Sequence, residues 1–148
     1  QKNSFPSIII RPYLIYGPYQ TPDRLIPYSI ISCLKKKNFP CSNGSQTRDF
    51  LYVSDAINFI YKVMTNKDVG MIINLGSGKR IKVKKIIKYI VKICKGGFPN
   101  FGQIKLRTDE QLNLYPSISL ARSKELRQKV GILEGLKLTI SHYKRNHK

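Results

Sequence analysis

Two arginines carry the most informative chemistry in this sequence, because each is expected at one end of a strand. Arg48 follows a turn containing Gly44 and precedes an apolar run at 50–53. Arg107 ends a second apolar run, 104–107, and is followed by acidic residues. A guanidinium group can hold a phosphate through two parallel N–H bonds. The two arginines therefore favour a diphosphate site at the edge of a sheet.

The residues alone leave a purely structural role for these arginines open. Arg48 has acidic neighbours in Asp49 and Asp55, and Arg107 has an acidic pair at 109–110. Local ion pairs of this kind are common on protein surfaces and need no ligand. An anion site and a set of structural ion pairs are thus both compatible with the spacing.

Strands and helices alternate along the chain, which predicts a mixed α/β fold. Strands are predicted at 7–11, 40–42, 50–53, 71–75 and 104–107, and helices at 24–34, 54–64, 82–94, 123–130 and 133–143. The first strand is an apolar run typical of burial on both faces, and Pro12 is expected to bend or end it. Ser54 or Asp55 is the expected N-cap of the second helix, and Ser123 that of the fourth.

Two helices have a clear apolar face. The second is expected to bury Ala56, Ile57, Phe59, Ile60, Val63 and Met64, and the third Val83, Ile86, Ile87, Ile90, Val91 and Cys94. On the third helix, lysines recur every three or four residues on the opposite side, as on a solvated helix face.

Composition limits the class of protein. The chain has 148 residues, of which 41% are hydrophobic, enough for one folded domain. It contains neither an apolar run of membrane-spanning length nor a signal-like N-terminus. Cys33, Cys41 and Cys94 are widely spaced and predict neither a disulfide framework nor a metal site. We therefore expect buried free thiols, no metal and a cytoplasmic location.

The net charge of +19 raises the question of nucleic-acid binding. The basic residues are mostly scattered lysines without interleaved aromatic residues, so we expect no nucleic-acid partner. The alternative to an enzyme is a small basic α/β module that binds a polyanion or a protein partner through its lysine surface. Arg48 and Arg107 facing one pocket would favour the enzyme, whereas a broad lysine face with the two arginines apart would favour the module.

Seven segments resemble, in order, the C-terminal half of the extended short-chain dehydrogenase/reductases, the NAD-dependent epimerase/dehydratase family. They are R-P-Y-L-I-Y-G-P-Y-Q, R-L-I-P, G-S-Q-T-R-D-F-L-Y-V-S-D-A, I-N-L-G-S-G, R-T-D-E, S-K-E-L and L-E-G-L-K-L-T-I. The resemblance implies that 1–20 is the last strand of a Rossmann-type parallel sheet with its exit, and that 21–148 is a small mixed α/β substrate-binding domain. The strand at 8–11 should then be poorly covered in this chain alone.

The resemblance also implies roles for individual residues. Arg48 and Arg107 would bind the diphosphate of a nucleotide sugar, and Leu25 would pack against its base. Leu14 stands where many relatives carry an Asn that contacts the sugar, and it cannot make that polar contact. Leu14 therefore marks a difference in how the sugar is recognised.

Tyr13 and Ile15 would lie close to the nicotinamide of the cofactor in the complete enzyme. The sequence has no G-x-x-G-x-x-G turn for a dinucleotide, and no tyrosine has a lysine four residues later, as the family's acid/base dyad requires. His142 and His147 have no acid or cysteine partner in the sequence pattern. We therefore assign no catalytic residue and expect the chain alone neither to bind NAD(P) nor to catalyse.

For the complete enzyme, the resemblance implies NAD or NADP as cofactor, a UDP-, dTDP-, CDP- or GDP-hexose as substrate, and a homodimer with no membrane partner. The chain begins with Gln1 rather than Met. We expect it to be part of a longer protein, or a subunit that works with a separate N-terminal, cofactor-binding half. Epimerase, dehydratase and reductase activities remain open.

Overall fold

The computed structural model describes residues 6–65, 69–125 and 127–146. In these ranges the strands are β1 Ile9–Pro12, β2 Leu14–Tyr16, β3 Asn38–Cys41, β4 Thr47–Arg48, β5 Phe50–Tyr52, β6 Ile72–Leu75, β7 Ile81–Lys82, β8 Phe98–Phe101 and β9 Asn113–Leu114. The helices are α1 Leu25–Leu34, α2 Val53–Thr65, α3 Val83–Cys94, α4 Ser119–Ser123 and α5 Ile132–Asn146. The N-terminal residues 1–5 and His147 lie outside the described residues. The predicted α/β class is confirmed.

β1 ends at Pro12, as expected, and the chain continues after Tyr13 as β2 with a different partner. β1 pairs in parallel with β6, and β2 pairs in parallel with β5. Proline has no N–H to donate to a ladder, whereas the amide of Tyr13 still bonds to the carbonyl of Leu75 at 3.0 Å. Two short parallel pairs therefore share one nearly continuous segment, with the change of partner at Tyr13.

β1 is not buried on both faces, and that part of the prediction is wrong. Ile9 is 51% exposed and its register partner Ile72 is 48% exposed. A two-stranded sheet covers too little of an apolar run to bury it. The expectation that the strand at 8–11 is poorly covered is confirmed, since each of its residues is half-buried or exposed.

The larger core lies between helices α1, α3 and α5 and the parallel pair β3–β8. Its fully buried side chains include Ile30, Ile86, Ile90 and Leu136. The apolar stripe of α3 was the clearest periodic signal in the sequence, and the structure confirms that helix almost to the residue. A second, smaller core packs α2 against β5 and β6.

The strand predicted at 104–107 is wrong. The strand that forms instead is β8, which pairs with β3, and Gly102 then turns the chain with a φ of +88°. The amide of Ile104 bonds to the carbonyl of Cys41, and the residues up to Arg107 have no strand partner. An apolar run becomes a strand only where a neighbour supplies hydrogen bonds, and the sequence does not show that neighbour.

Two N-cap predictions are also wrong. α2 begins at Val53, ahead of both Ser54 and Asp55. The Asp55 carboxylate instead accepts the amides of Lys129 and Val130 at 3.1 and 2.9 Å, a tertiary contact. Ser123 ends α4 rather than starting a helix, and its hydroxyl donates to the carbonyl of Leu120.

The expected buried face of α2 is too wide. Ala56, Phe59 and Val63 are buried, whereas Ile57 and Met64 are exposed. A helix packed against one layer buries a single stripe of residues, and Ile57 and Met64 fall outside that stripe.

None of the helices in the described ranges is long and apolar enough to cross a membrane. The division at residue 20 stays a prediction.

Candidate functional site

Arg48 is held at the centre of a three-stranded sheet. Its strand β4 pairs antiparallel with β7 and parallel with β9. The turn before it needs Gly44, whose φ is +69° and whose α-carbon lies so near Lys84 that an added Cβ would be 2.7 Å from that residue's backbone nitrogen. The Arg48 side chain is 10% exposed and donates from Nη1 to its neighbour's carbonyl, that of Thr47, at 2.8 Å. The guanidinium group is therefore rigidly placed.

Glu110 joins the two arginines that the sequence singled out. Its Oε1 accepts a hydrogen bond from Nη2 of Arg48 in a mostly buried ion pair. Its Oε2 accepts a bond from Nη2 of Arg107 at 3.5 Å, and Arg107 also lies 3.7 Å from Asp109. The Arg107 side chain is 77% exposed, whereas that of Glu110 is 18% exposed. One carboxylate thus lies between a buried and an exposed guanidinium group.

A groove of about 630 Å³ runs beside this ion pair. Arg48, Glu110 and Asp23 are its charged lining residues, and Leu14, Leu25 and Pro40 are among its apolar ones. Further lining comes from Tyr28, Ser29, Cys41, Ser42, Gln46, Val83, Ile87 and Ile104. A concave site with an apolar lining and a few fixed polar groups is the usual form of a small-molecule site.

Asp49, next to Arg48, fixes a second element near the site. Its carboxylate is fully buried and accepts the amides of Ser77 and Gly78 at 2.7 and 2.6 Å. Gly76 is required here, because an added Cβ would lie 2.5 Å from Pro116. Asp49 therefore ties β4 and β5 to the glycine turn that follows β6.

That glycine turn does not fit the pyrophosphate of a dinucleotide. A turn that binds pyrophosphate offers its backbone N–H groups to the ligand. Here the amides of Ser77 and Gly78 are both taken by Asp49, and that of Lys79 donates to the Ser77 hydroxyl. The sequence contains no other G-x-G pattern. The amides of this turn are therefore not available to a pyrophosphate.

Tyr13 and Ile15 lie on the segment that forms β1 and β2, beside Leu14 of the groove. Ile15 stands opposite Leu51 in the parallel pair and packs against the smaller core. Tyr13 is half-buried, and its amide is bonded to Leu75. Neither residue lines the groove beside Arg48, and their placement near a nicotinamide stays a prediction.

Burial and neighbouring groups shift the pKa values of the three cysteine thiols in different directions. A hydrogen bond from Cys33, together with the charge of Lys144, lowers the pKa of the Cys94 thiol. The same hydrogen bond and burial raise the pKa of the Cys33 thiol, and burial raises the pKa of Cys41 in the groove. All three are free thiols.

The described residues contain no cluster of His, Cys, Asp and Glu that could hold a metal ion.

The predicted site residues are largely brought together. Arg48, Leu14 and Leu25 line one groove, and Arg107 reaches it through Glu110. The local pairing expected for Arg107 is present, whereas Arg48 pairs with neither of its predicted acidic partners, Asp49 and Asp55, because both bind backbone amides elsewhere. His142 contacts the rings of Tyr19 and Tyr143.

Sequence reasoning missed Glu110 as the partner of Arg48, and it missed both the role of Asp49 in holding the glycine turn and the presence of Gln46 in the groove. The Arg107-x-x-Glu110 spacing was visible and indicates a local pair. The contact with Arg48 spans 62 residues and has no local signature. Gln46 lines the groove and donates from Nε2 to Ser42 at 3.2 Å. It lies two residues before Arg48, and side chains two residues apart on an extended segment point to the same side.

Known proteins resemble this chain over nearly its whole length. The chain is 30% identical over 154 aligned residues to dTDP-D-glucose 4,6-dehydratase of Mus musculus, with 99% of this chain and 43% of that protein covered. UDP-glucuronic acid 4-epimerase of Bacillus cereus, solved with UDP-glucuronic acid and NAD, is 28% identical with a TM-score of 0.87, covering 95% of this chain and 46% of that one. The chain spans less than half the length of these relatives.

A third protein shows the same fold at lower identity. dTDP-glucose 4,6-dehydratase of Bacillus anthracis, solved with NAD, has a TM-score of 0.86 at 23% identity, covering 95% of this chain and 45% of that one. Residues 1–76 also match the family model described as the NAD dependent epimerase/dehydratase family. The family model alone covers more than half of the chain. The chain belongs to the NAD-dependent epimerase/dehydratase family.

Proposed function

We propose that this chain is the nucleotide-sugar-binding portion of an NAD(P)-dependent epimerase, dehydratase or reductase that acts on a nucleotide-linked hexose. The observation that carries the proposal is the convergence of Arg48 and Arg107 on Glu110 beside a groove lined by Leu14 and Leu25. A guanidinium group in an apolar groove, with a second one joined to it through Glu110, suits a diphosphate joined to a nucleoside. The relatives whose names include dTDP-glucose or UDP-glucuronic acid support this substrate class.

The groove suggests a pose for such a ligand. The diphosphate would lie against Arg48 and Arg107, with the base along the apolar wall formed by Leu25 and Pro40. Binding energy from the diphosphate and base would then orient the sugar for reaction elsewhere in the complete enzyme. Leu14 contributes no polar group, so sugar hydroxyls must find their partners at other positions.

The cofactor belongs to the complete enzyme in this proposal. NAD(P) would exchange a hydride with a sugar carbon, and relatives solved with NAD support its use. Tyr13 and Ile15 would form only the edge of its nicotinamide site. The pyrophosphate would be held by residues outside this chain, since the glycine turn at 76–78 is occupied by Asp49. We propose that the chain alone is inactive and joins a cofactor-binding half.

Two further properties belong to the same proposal. The free thiols of Cys33, Cys41 and Cys94 suit a reducing compartment, which supports a cytoplasmic enzyme. A homodimer of the complete enzyme is proposed from the family resemblance.

The alternative of a basic module that binds a polyanion is less well supported, because Arg48 and Arg107 both contact Glu110, which lines the groove.

Calorimetric titration of the 148-residue chain with UDP-, dTDP-, CDP- and GDP-hexoses, and separately with NAD and NADP, tests the proposal. We expect weak binding of at least one nucleotide sugar that falls as ionic strength rises, because charge contributes most of it. We expect no binding of either dinucleotide. Micromolar affinity for NAD, or heparin binding that nucleotide sugars do not compete with, would contradict the assignment.

A further inference from the structure

We propose that Cys33 and Cys94 form an oxidation site, at which hydrogen peroxide oxidises Cys94 and Cys33 then closes a reversible disulfide. The two thiols lie on different helices, since Cys33 is in the last turn of α1 and Cys94 is the last residue of α3. Neither cysteine lines the groove beside Arg48. The inference therefore does not depend on the proposed function.

The fold brings the two sulfur atoms together. The Cys33 thiol donates a hydrogen bond to the sulfur of Cys94. A hydrogen bond between two thiols requires their sulfur atoms to be neighbours. Little movement is then needed to reach the roughly 2 Å of a disulfide bond.

The backbone that follows α3 is shaped around Cys33. Gly97 has a φ of +84°, and an added Cβ there would lie 2.6 Å from Cα and 2.7 Å from Sγ of Cys33. An added Cβ at Gly96 would lie 3.0 Å from the Cys33 carbonyl oxygen. Glycine permits this close approach because it has no side chain. The backbone therefore holds the end of α3, which carries Cys94, against Cys33.

The two thiols differ in access and in charge, which assigns a different role to each. Cys94 is half-buried, whereas Cys33 is 1% exposed. The hydrogen bond from Cys33, together with the charge of Lys144, lowers the pKa of Cys94 against the effect of its partial burial. The same hydrogen bond and burial raise the pKa of Cys33. Because the thiolate is the form that peroxide oxidises, Cys94 reacts first and Cys33 resolves the product.

Hydrogen peroxide supplies the oxidant that the step requires. The Cys94 thiolate attacks one peroxide oxygen, so an S–O bond forms, the O–O bond breaks, and hydroxide leaves and takes up a proton. Cys33 then attacks the sulfenic acid: an S–S bond forms, the S–O bond breaks, and the hydroxyl group leaves as water with the Cys33 proton. Peroxide is thus reduced to two water molecules while two thiols become one disulfide. A small dithiol reverses the reaction by exchange.

The site joins two helices that also line the groove. Leu25 and Ser29 of α1 and Val83 and Ile87 of α3 are lining residues near the N-terminal ends of these helices. The two cysteines lie at the C-terminal ends. A disulfide would therefore fix two groove-forming helices to each other without occupying the groove.

Cys41 is a matched control among the thiols. It is 7% exposed, and its Sγ donates to the carbonyl of Phe39 at 3.7 Å. Burial raises its pKa. Cys41 is thus a buried thiol whose hydrogen bond goes to the backbone, so it should react with peroxide several-fold more slowly than Cys94.

Peptide mapping of the wild-type 148-residue chain after peroxide treatment, with remaining thiols blocked before digestion, tests the inference. We expect one intramolecular disulfide that joins Cys33 to Cys94 and is reversed by dithiothreitol. The same treatment in urea is the control, because Cys33 and Cys41 close the shortest loop of the unfolded chain and should pair more often there. No disulfide in the folded chain, a main pair that includes Cys41, a bond between two chains, or the same main pair in urea overturns the inference.

Variants assign the roles of the two thiols. Cys33→Ser keeps a hydroxyl that can donate to Cys94 but cannot resolve a sulfenic acid, so dimedone should label Cys94 several-fold more than in the wild-type chain. Cys94→Ser should slow oxidation of Cys33 several-fold, whereas Cys41→Ser should still form the disulfide. Unchanged dimedone labelling of Cys94, unchanged oxidation of Cys33, or loss of the disulfide in a folded Cys41→Ser chain overturns the inference. The wild-type mapping decides the question even if a variant does not fold.

Discussion

Asp49 and Gly78 are joined by a 2.6 Å hydrogen bond from the Gly78 amide to a carboxylate that is fully buried. The same carboxylate accepts the amide of Ser77, so one side chain satisfies two backbone donors across about thirty residues of sequence. Arg48 and Asp49 are adjacent, yet the Arg48 side chain lines the groove, whereas the Asp49 carboxylate binds the backbone of the glycine turn. Asp49 therefore holds in place the structure next to the proposed binding residue Arg48.

Replacing Asp49 should destabilise the chain strongly. In Asp49→Asn the amide group can accept from only one of the two backbone donors, so a buried N–H is left without a partner. We expect the free energy of unfolding to fall by about 2–4 kcal/mol. Urea denaturation followed by circular dichroism measures this, with the exposed substitution Asp109→Asn as the control. A loss below about 0.5 kcal/mol would show that the turn does not depend on Asp49.

A pair of glycines separates backbone strain from steric overlap. Gly44 and Gly102 both have positive φ, +69° and +88°, but an added Cβ at Gly44 would lie 2.7 Å from the Lys84 backbone, whereas nothing lies within 4 Å at Gly102. Gly102→Ala should cost about 1 kcal/mol from strain alone, and Gly44→Ala clearly more. Thermal and urea unfolding of both variants measure the difference. Equal losses would rule out the close approach at Gly44.

Only Gly44→Ala should also weaken anion binding, because its turn leads into Arg48. Pyrophosphate titration of the two glycine variants tests this point. If Gly102→Ala weakens binding as much as Gly44→Ala does, the turn before β4 does not position the guanidinium group.

The three thiols should react in a fixed order as pH rises. The pKa of Cys94 is lowered by its hydrogen bond from Cys33 and by Lys144, while the pKa values of Cys33 and Cys41 are raised. The thiolate is the reactive form, so Cys94 should be alkylated at lower pH than an ordinary cysteine. Iodoacetamide labelling across a pH series with peptide mass spectrometry measures this order. First labelling at Cys33 or Cys41 would contradict it.

The periodic parts of the fold could be predicted from the sequence, and the parts set by distant pairing could not. Helix α3 has apolar residues at helical spacing, so its limits were predicted almost correctly. The strand at 104–107 had a suitable composition, but β8 pairs with β3 in its place. Composition indicates which segments can form strands, whereas pairing depends on residues far along the chain.

The site shows the same division. Arg48 and Arg107 were identifiable because arginine next to a turn or a strand end is a recognisable pattern. Glu110 was visible only as a neighbour of Arg107, since its contact with Arg48 joins a loop to strand β4, 62 residues away in sequence. In the sequence Asp49 looked like a local ion-pair partner of Arg48. In the structure its buried carboxylate accepts the backbone amides of Ser77 and Gly78 instead.

The exposed apolar pair Ile9 and Ile72 should bind a hydrophobic dye. These register partners are 51% and 48% exposed on the two-stranded sheet. We expect the double substitution Ile9→Thr and Ile72→Thr to lower the fluorescence of bound anilinonaphthalene sulfonate without loss of helical circular dichroism. The exposed substitution Met64→Thr on α2 is the control. Equal fluorescence in the double variant and the wild-type chain would place the dye site elsewhere.

The central claim is that Arg48 and Arg107 hold one diphosphate, and a double-mutant cycle with dTDP-glucose tests it most directly. Affinities are measured by calorimetry for the wild-type chain, Arg48→Lys, Arg107→Gln and the double variant, after circular dichroism has shown that each is folded. Arg48→Lys keeps the charge but loses the two-pronged contact. We predict losses of about tenfold or more for each single variant, and a double variant less impaired than the product of the two, because both contact one ligand group. Unchanged affinity in either single variant would contradict the claim that both arginines hold one diphosphate.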